Sequence, residues 1–429
     1  MYKGLLIFVI PAMLWGQVFA QSARQDTLRE LVRKVDILTR ELEKQRLGEV
    51  AEREYQSKFG LGPAASQVYY RKDSGVSLAG YGEMIFQNFS ATADDGSASG
   101  AKDQLDYLRG ILYFGYKFNE RFLFNTEIEI EHAKVGEGAP GEVAIEFGYI
   151  DALLSPAVNL RGGMVLIPLG IINELHEPTT FYGVLRPETE RRIIPSTWRA
   201  VGAGMLGSLP AGLAYRVYVT EGLNAANFSA AGIRSGRQNG AQALAEDLAV
   251  TGRLEYNGIP GLIVGGSVYA GNSGQGLADS SGRRIDALTT LFSAQGIFAR
   301  RGLEIRALYA FSAINDAAEL NRALGFSGRQ SIGERQLGYY AAVAYDVLQW
   351  IRPGSEAQLQ PFIQYEQLNT QDKAPAGFAT DPAREQTNFT LGLMFKPIAQ
   401  LAIKLDYINR DNKAGSAVDQ LNAGIGYLF

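Results

Sequence analysis

The sequence predicts an all-β transmembrane barrel of about 16 antiparallel strands, preceded by a short N-terminal coiled-coil helix. Three observations carry that prediction. Apolar and polar residues alternate with a period of two through most of the chain from residue 75 on, as they do along strands. The alternating runs are joined in turn by very short turns and by longer polar loops. After residue 20, no apolar run approaches the roughly 20 residues that a spanning helix needs. A chain that crosses lipid without such helices must close into a barrel, the only other architecture that pairs every backbone hydrogen bond.

Composition agrees. The 429 residues suffice for one large barrel or two to three ordinary domains. Hydrophobic residues make up 46% and charged residues 20%. The 49 Gly, 21 Tyr and 21 Phe suit close strand packing and aromatic girdles. There are no cysteines, which excludes disulfides, thiolate metal sites and a cysteine nucleophile. Net charge is −4; without residues 1–20, whose sole charged side chain is Lys3, it is −4 − 1 = −5. A nucleic-acid binder would be basic.

Residues 1–20 read as a signal peptide. Lys3 precedes an apolar core from Leu5 to Trp15, and Val18 and Ala20 occupy the positions a signal peptidase reads. Residues 21–47 read as a coiled-coil helix. Leu28, Leu31, Val35, Leu38 and Leu42 recur at spacings of three and four, with charged residues on the other faces. So narrow an apolar stripe pairs with copies of itself. The competing reading is an amphipathic helix that lies against the barrel or plugs it. Residues 48–73 read as a linker, broken by Gly60, Gly62 and Pro63.

Residues 74–429 form the barrel in this reading. The cleanest strand lies at 121–131: Phe122, Phe124, Ile128 and Ile130 face one way, and Asn125, Glu127, Glu129 and Glu131 the other. Short turns are expected near Asn119, Ser155, Leu209, Ile259, Arg300, Arg352 and Lys396. Long loops are expected near residues 90–102, 132–141, 170–197, 223–245, 271–284, 313–335, 369–386 and 410–416. Seven turns and eight loops join 16 strands. Short periplasmic turns and long external loops are the asymmetry of outer-membrane barrels, and 16 strands leave room for an aqueous channel.

The last stretch, AVDQLNAGIGYLF, places Leu421, Ala423, Ile425, Tyr427 and Phe429 on one face. It resembles the closing strand of bacterial outer-membrane β-barrels, with Tyr427 and Phe429 as the barrel-closing signal read by the barrel-assembly machinery. The strings GLGPAASQVY at 60–69 and GVSLAGYGEM at 75–84 resemble the opening of outer-membrane porins of the phosphate-selective O and P type. The resemblance runs from about Gly60 to Phe429. It implies a 16-stranded barrel, a homotrimer with an N-terminal coiled coil as in some trimeric porins, and an inward-folded third loop that narrows the pore.

That loop, GIINELHEPTTFYGVLRPETERRIIPST at 170–197, holds three of the 15 prolines and is the third external loop in strand order. Charged rings in a narrow channel select ions, so Arg186, Arg191, Arg192 and Arg199 are candidates for meeting an anion. Arg216 and Arg253 point lumenward by alternation, and Glu127, Glu129, Glu131 and Glu146 line another arc. The bland alternative is that these charges pair with one another. Phosphate-selective porins guide anions with an arginine ladder, whereas here Glu304 and Arg306, and Lys404 and Asp406, mix the signs.

No catalytic constellation is legible. His176 lies between Glu174 and Glu177, but the spacing is not that of a helical ligand pair, and the other histidine is His132. GAGMLG at 202–207 falls inside an expected strand, not on a strand-to-helix turn. The expected function is an outer-membrane porin for passive diffusion of small polar or anionic solutes or ions. It needs no cofactor or metal, and its partners are outer-membrane lipid and its own copies, with the coiled coil in the periplasm. The alternative is a structural anchor or periplasmic tether with a closed barrel.

Overall fold

The computed structural model describes residues 56–429. The expected signal peptide and coiled coil, with Leu28, Leu31, Val35, Leu38 and Leu42, lie outside the described residues.

Sixteen strands are found among the described residues. The first eight are β1 (Gly75–Phe89), β2 (Gln104–Lys117), β3 (Phe122–Glu131), β4 (Glu142–Leu153), β5 (Asn159–Leu166), β6 (Arg199–Leu209), β7 (Leu213–Glu221) and β8 (Leu248–Ile259). The second eight are β9 (Leu262–Gly271), β10 (Thr289–Arg300), β11 (Leu303–Ile314), β12 (Arg335–Tyr345), β13 (Gln358–Lys373), β14 (Glu385–Ile398), β15 (Leu401–Asn412) and β16 (Gln420–Leu428). Each pairs antiparallel with its sequence neighbours, and β16 returns to β1. Gly80 and Phe429 exchange both backbone hydrogen bonds at 2.9 and 3.0 Å, completing that seam.

Alternation sorts the side chains as the sequence predicts. On β15, Ile403, Leu405 and Tyr407 are exposed outward while Lys404 and Asp406 are buried inward. On β8, Val250 and Leu254 face out while Arg253 faces in. The outer wall is therefore apolar, as lipid requires. Among the described residues no helix is long and apolar enough to cross a membrane.

One of the β-bulges, on β4, bears on the candidate residues. Glu127 pairs with Phe147 and Ile128 with Ile145, so Glu146 is the extra residue on β4. A bulge shifts the phase of alternation. Glu146 and Phe147 are consequently both buried, at 3% and 0% exposure.

The stretch read as a linker is not a spacer where the structure describes it. Residues 59–70 pack inside the turn end of the barrel, around the short helix α1 (Gln67–Tyr70), while Ser57, Lys58, Arg71 and Lys72 are exposed.

A candidate pore constriction

The third loop, residues 167–198, folds into the lumen. Ile167, Leu169, Ile171, Ile172, Ile193 and Ile194 are each at most 1% exposed. Such a loop cannot stand in water. It joins one apolar cluster with Ala249, Tyr269, Leu291, Leu308, Ala310 and Leu368 on the wall. The wall is carved to receive it. A Cβ on Gly338 would lie 2.9 Å from both Ile193 and Thr189, so only glycine lets the loop approach so closely.

Wall charges then pin the loop backbone. Lys396 Nζ donates to the Thr179 carbonyl at 2.6 Å and Lys404 Nζ to that of Gly183 at 2.9 Å. Arg306 and Arg253 donate to the carbonyls of Thr180 and Gly170. Wall carboxylates take loop N–H groups: Glu366 from Thr189 at 2.6 Å, Asp406 from Val184 at 2.5 Å. Within the loop, Glu190 accepts from Ile171 and Ile172 at 2.8 and 2.6 Å, and Tyr340 donates to it from β12. Because the loop's own polar groups are satisfied by the wall, its inward position carries few unpaired backbone groups.

The candidate residues fall into separate groups. Arg186 and Arg191 face a cavity of about 260 Å³ on the loop side, with Glu131 opposite. Glu83, Arg109, Glu188 and Arg234 share it. The Nε atom of Arg186 is buried without a hydrogen-bond partner, so it has a donor to offer a solute, whereas Arg109 Nε is paired with Glu83 at 3.3 Å. Glu129 lies 3.7 Å from Arg109. Arg192 is tied to Glu188 at 2.6 Å, and Arg191 reaches the same carboxylate at 3.3 Å. Glu188 sits at the start of the short helix α2 (Glu188–Arg192), and its cationic neighbours pull its carboxyl down to about 2 despite burial.

Elsewhere the expected charges have partners within the lumen. Arg199 and Glu146 pair at 2.5 Å. Glu127 meets His176 at 3.1 Å. Burial, with Arg186 nearby, pushes the His176 imidazole down to about 4, so it is neutral at ordinary pH. Arg216 and Arg253 are not in the constriction cavity. They flank Glu174 and Glu255 (2.9 Å from Arg216 to Glu174, 2.6 Å from Arg253 to Glu255). That group borders a second cavity of about 360 Å³ toward the turn end, lined also by Ser57, Lys58 and Gly60.

Sequence reasoning missed Glu83, Arg109, Glu188 and Arg234. Arg109 shares its face of β2 with Ile111 and Tyr113, which hid the polar pattern. Arg234 sits in the fourth long loop, which reaches over the third and donates to the Arg191 carbonyl at 3.2 Å. Tyr427 and Phe429 lie on the seam strand, with Phe429 stacked 6.5 Å from Tyr427. Among the described residues no group of His, Cys, Asp and Glu is arranged to hold a metal.

Solved structures share this architecture. An anion-selective porin from Comamonas acidovorans superposes with a TM-score of 0.52 at 11% identity, over 83% of this chain and all of that one (100%). OmpT of Vibrio cholerae, in a trimer form, gives 0.50 at 12% identity over 83% and 100%. Salmonella typhi OmpF, in complex with daunomycin, gives 0.50 at 15% over 82% and 97%. No family model matches the chain. A protein of Aquifex aeolicus (strain VF5), described as uncharacterized, is 38% identical over 395 residues, covering 90% of this chain and 87% of that protein. The chain therefore has the outer-membrane porin fold and belongs to one family with the Aquifex aeolicus protein.

Proposed function

We propose that the chain is an outer-membrane porin that passes small polar or anionic solutes down their gradients, without catalysis or cofactor. The observation that carries this reading is the distribution of charge across one wall. The outer face is apolar, while the inner face and third loop surround a cavity with four arginines (Arg109, Arg186, Arg191, Arg234) and three glutamates (Glu83, Glu131, Glu188). The balance is 4 − 3 = +1, which favours anions mildly. The Comamonas porin is named as anion-selective and the Vibrio protein has a trimer form; both support extending anion preference and a homotrimer to this chain.

The second reading, a structural anchor with a closed barrel, is favoured by how fully the third loop and residues 57–70 occupy the lumen. Planar-bilayer conductance in a KCl gradient separates the two. Stepwise ohmic openings with an anion-sided reversal potential support the porin. A folded, heat-modifiable barrel that never opens under any treatment supports the anchor.

A further inference from the structure

We infer that residues 57–70 are a built-in plug that closes the turn end of the barrel and must leave for the channel to conduct fully. The inference rests on the porin reading. A lumen wall that met water would be polar. Here the turn-side inner face of β1–β4 carries Tyr81, Ile111, Tyr113, Leu123, Phe147 and Tyr149, none more than 3% exposed. What covers this apolar arc is the segment itself, through Leu61, Ala64, Ala65 and Val68.

The seat is specific at both ends. Glu177 on the third loop accepts the Ala64 and Ala65 N–H groups at 3.1 and 2.9 Å. From β3, Asn125 donates to the Ala65 carbonyl at 2.9 Å. Tyr69 donates to Asp151 at 2.7 Å and accepts from Arg161 at 2.7 Å. Val68 fits over Gly115, where an added Cβ would lie only 2.7 Å from it. Lys117 Nζ, at the turn end of β2, holds the Arg71 carbonyl at 2.8 Å.

The segment also props the third loop. The stretch of the loop at 174–177 rests on it, with Glu177 against Gly62 and Glu174 against Gly60. Plug and loop thus form two stacked layers between the arginine-lined cavity and the turn-side mouth. Short segments held mainly by hydrogen bonds and a few small apolar contacts detach more readily than strands.

The test uses the full chain in planar bilayers. Because the chain has no cysteine, the double variant Val68→Cys/Gly115→Cys offers one possible disulfide. Its formation draws the segment about 1 Å from its native seat to reach bridging distance. Low conductance when oxidised and severalfold higher conductance on reduction support the plug. A second variant lacking residues 57–70, verified as folded by heat modifiability, conducts severalfold more than the native chain if the inference holds. Equal conductance of a folded deletion variant and the native chain, with both open, overturns the plug and leaves the porin reading intact. No conductance from either overturns the porin reading, and the plug's role with it.

Discussion

Glu177 Oε1 accepts the backbone N–H of Ala65 at 2.9 Å, joining two residues 112 positions apart in the chain. Its other oxygen takes the neighbouring N–H of Ala64 at 3.1 Å. One carboxylate therefore latches the inner loop to the segment beneath it, and that latch titrates. Glu177 lies on the loop, outside the spanning strands. Burial pushes its carboxyl up to about 7, against the lowering effect of the two N–H donors. A carboxyl released into water returns to about 4.3. Between those values the seated state holds a proton that the released state has lost, so acid strengthens seating and rising pH weakens it. His176 stays neutral through the upper part of this window, being held near 4.

Channel conductance should therefore rise as pH is raised through about 7. Glu177→Gln, which cannot titrate and keeps one of the two acceptors, should make conductance independent of pH over this range. A native chain whose conductance falls over the same interval contradicts the latch.

The arginines of the constriction should set ion preference. Arg186 and Arg234 approach the cavity from the loops, while Glu83 and Glu131 face it from the wall. Replacing Arg186 and Arg234 together by Gln changes the cavity balance from +1 to 2 − 3 = −1. The reversal potential in a KCl gradient should change sign from anion to cation preference. Arg216→Gln, whose site lies apart from this cavity, should leave the sign unchanged.

Strand positions were legible in the sequence because period-two alternation survives wherever one face meets lipid and the other polar groups, as on β8 and β15. The third loop was legible through its length and its apolar content. Three features were hidden. The bulge at Glu146 depends on the pairing of β3 with β4, not on either strand alone. The seat for residues 57–70 makes both faces of β2 apolar near Ile111 and Tyr113, so alternation fades where a packed partner replaces water. The segment itself has no period, since Gly60, Gly62 and Pro63 interrupt it and its helix is four residues long. That the lumen charges pair was among the readings the sequence allowed, but the particular partners were hidden, because pairs such as Arg199 and Glu146 come from separate strands.

Three cations on β11, β14 and β15 hold loop carbonyls, and they should restrain loop motion. Lys404 reaches the Gly183 carbonyl and lies 3.7 Å from the Phe181 ring centroid. Lys404→Met keeps the stem and removes the charge. A hydrogen bond to a charged group is worth about 1.5–3 kcal/mol. Open-channel current noise should increase while the barrel still folds. Unchanged noise would place the loop's rigidity in its apolar cluster instead.

Arg161 and Asp151 form the most enclosed ion pair of the turn end, at 2.7 Å, with the guanidinium stacked 3.8 Å from the Tyr149 ring centroid. Removing one partner strands a buried charge and costs about 3–5 kcal/mol. Asp151→Asn should therefore lower the unfolding midpoint in denaturant. It also weakens the Tyr69 seat, so conductance should rise in the same variant. The double variant Arg161→Met/Asp151→Leu removes both charges, and apolar replacement of a buried pair is often neutral. It should recover most of the stability but not the native conductance, because Tyr69 then keeps only Tyr149 of its three partners. Recovery of both properties together would show that the pair supports the wall alone and that Tyr69 is not among the contacts that seat the segment.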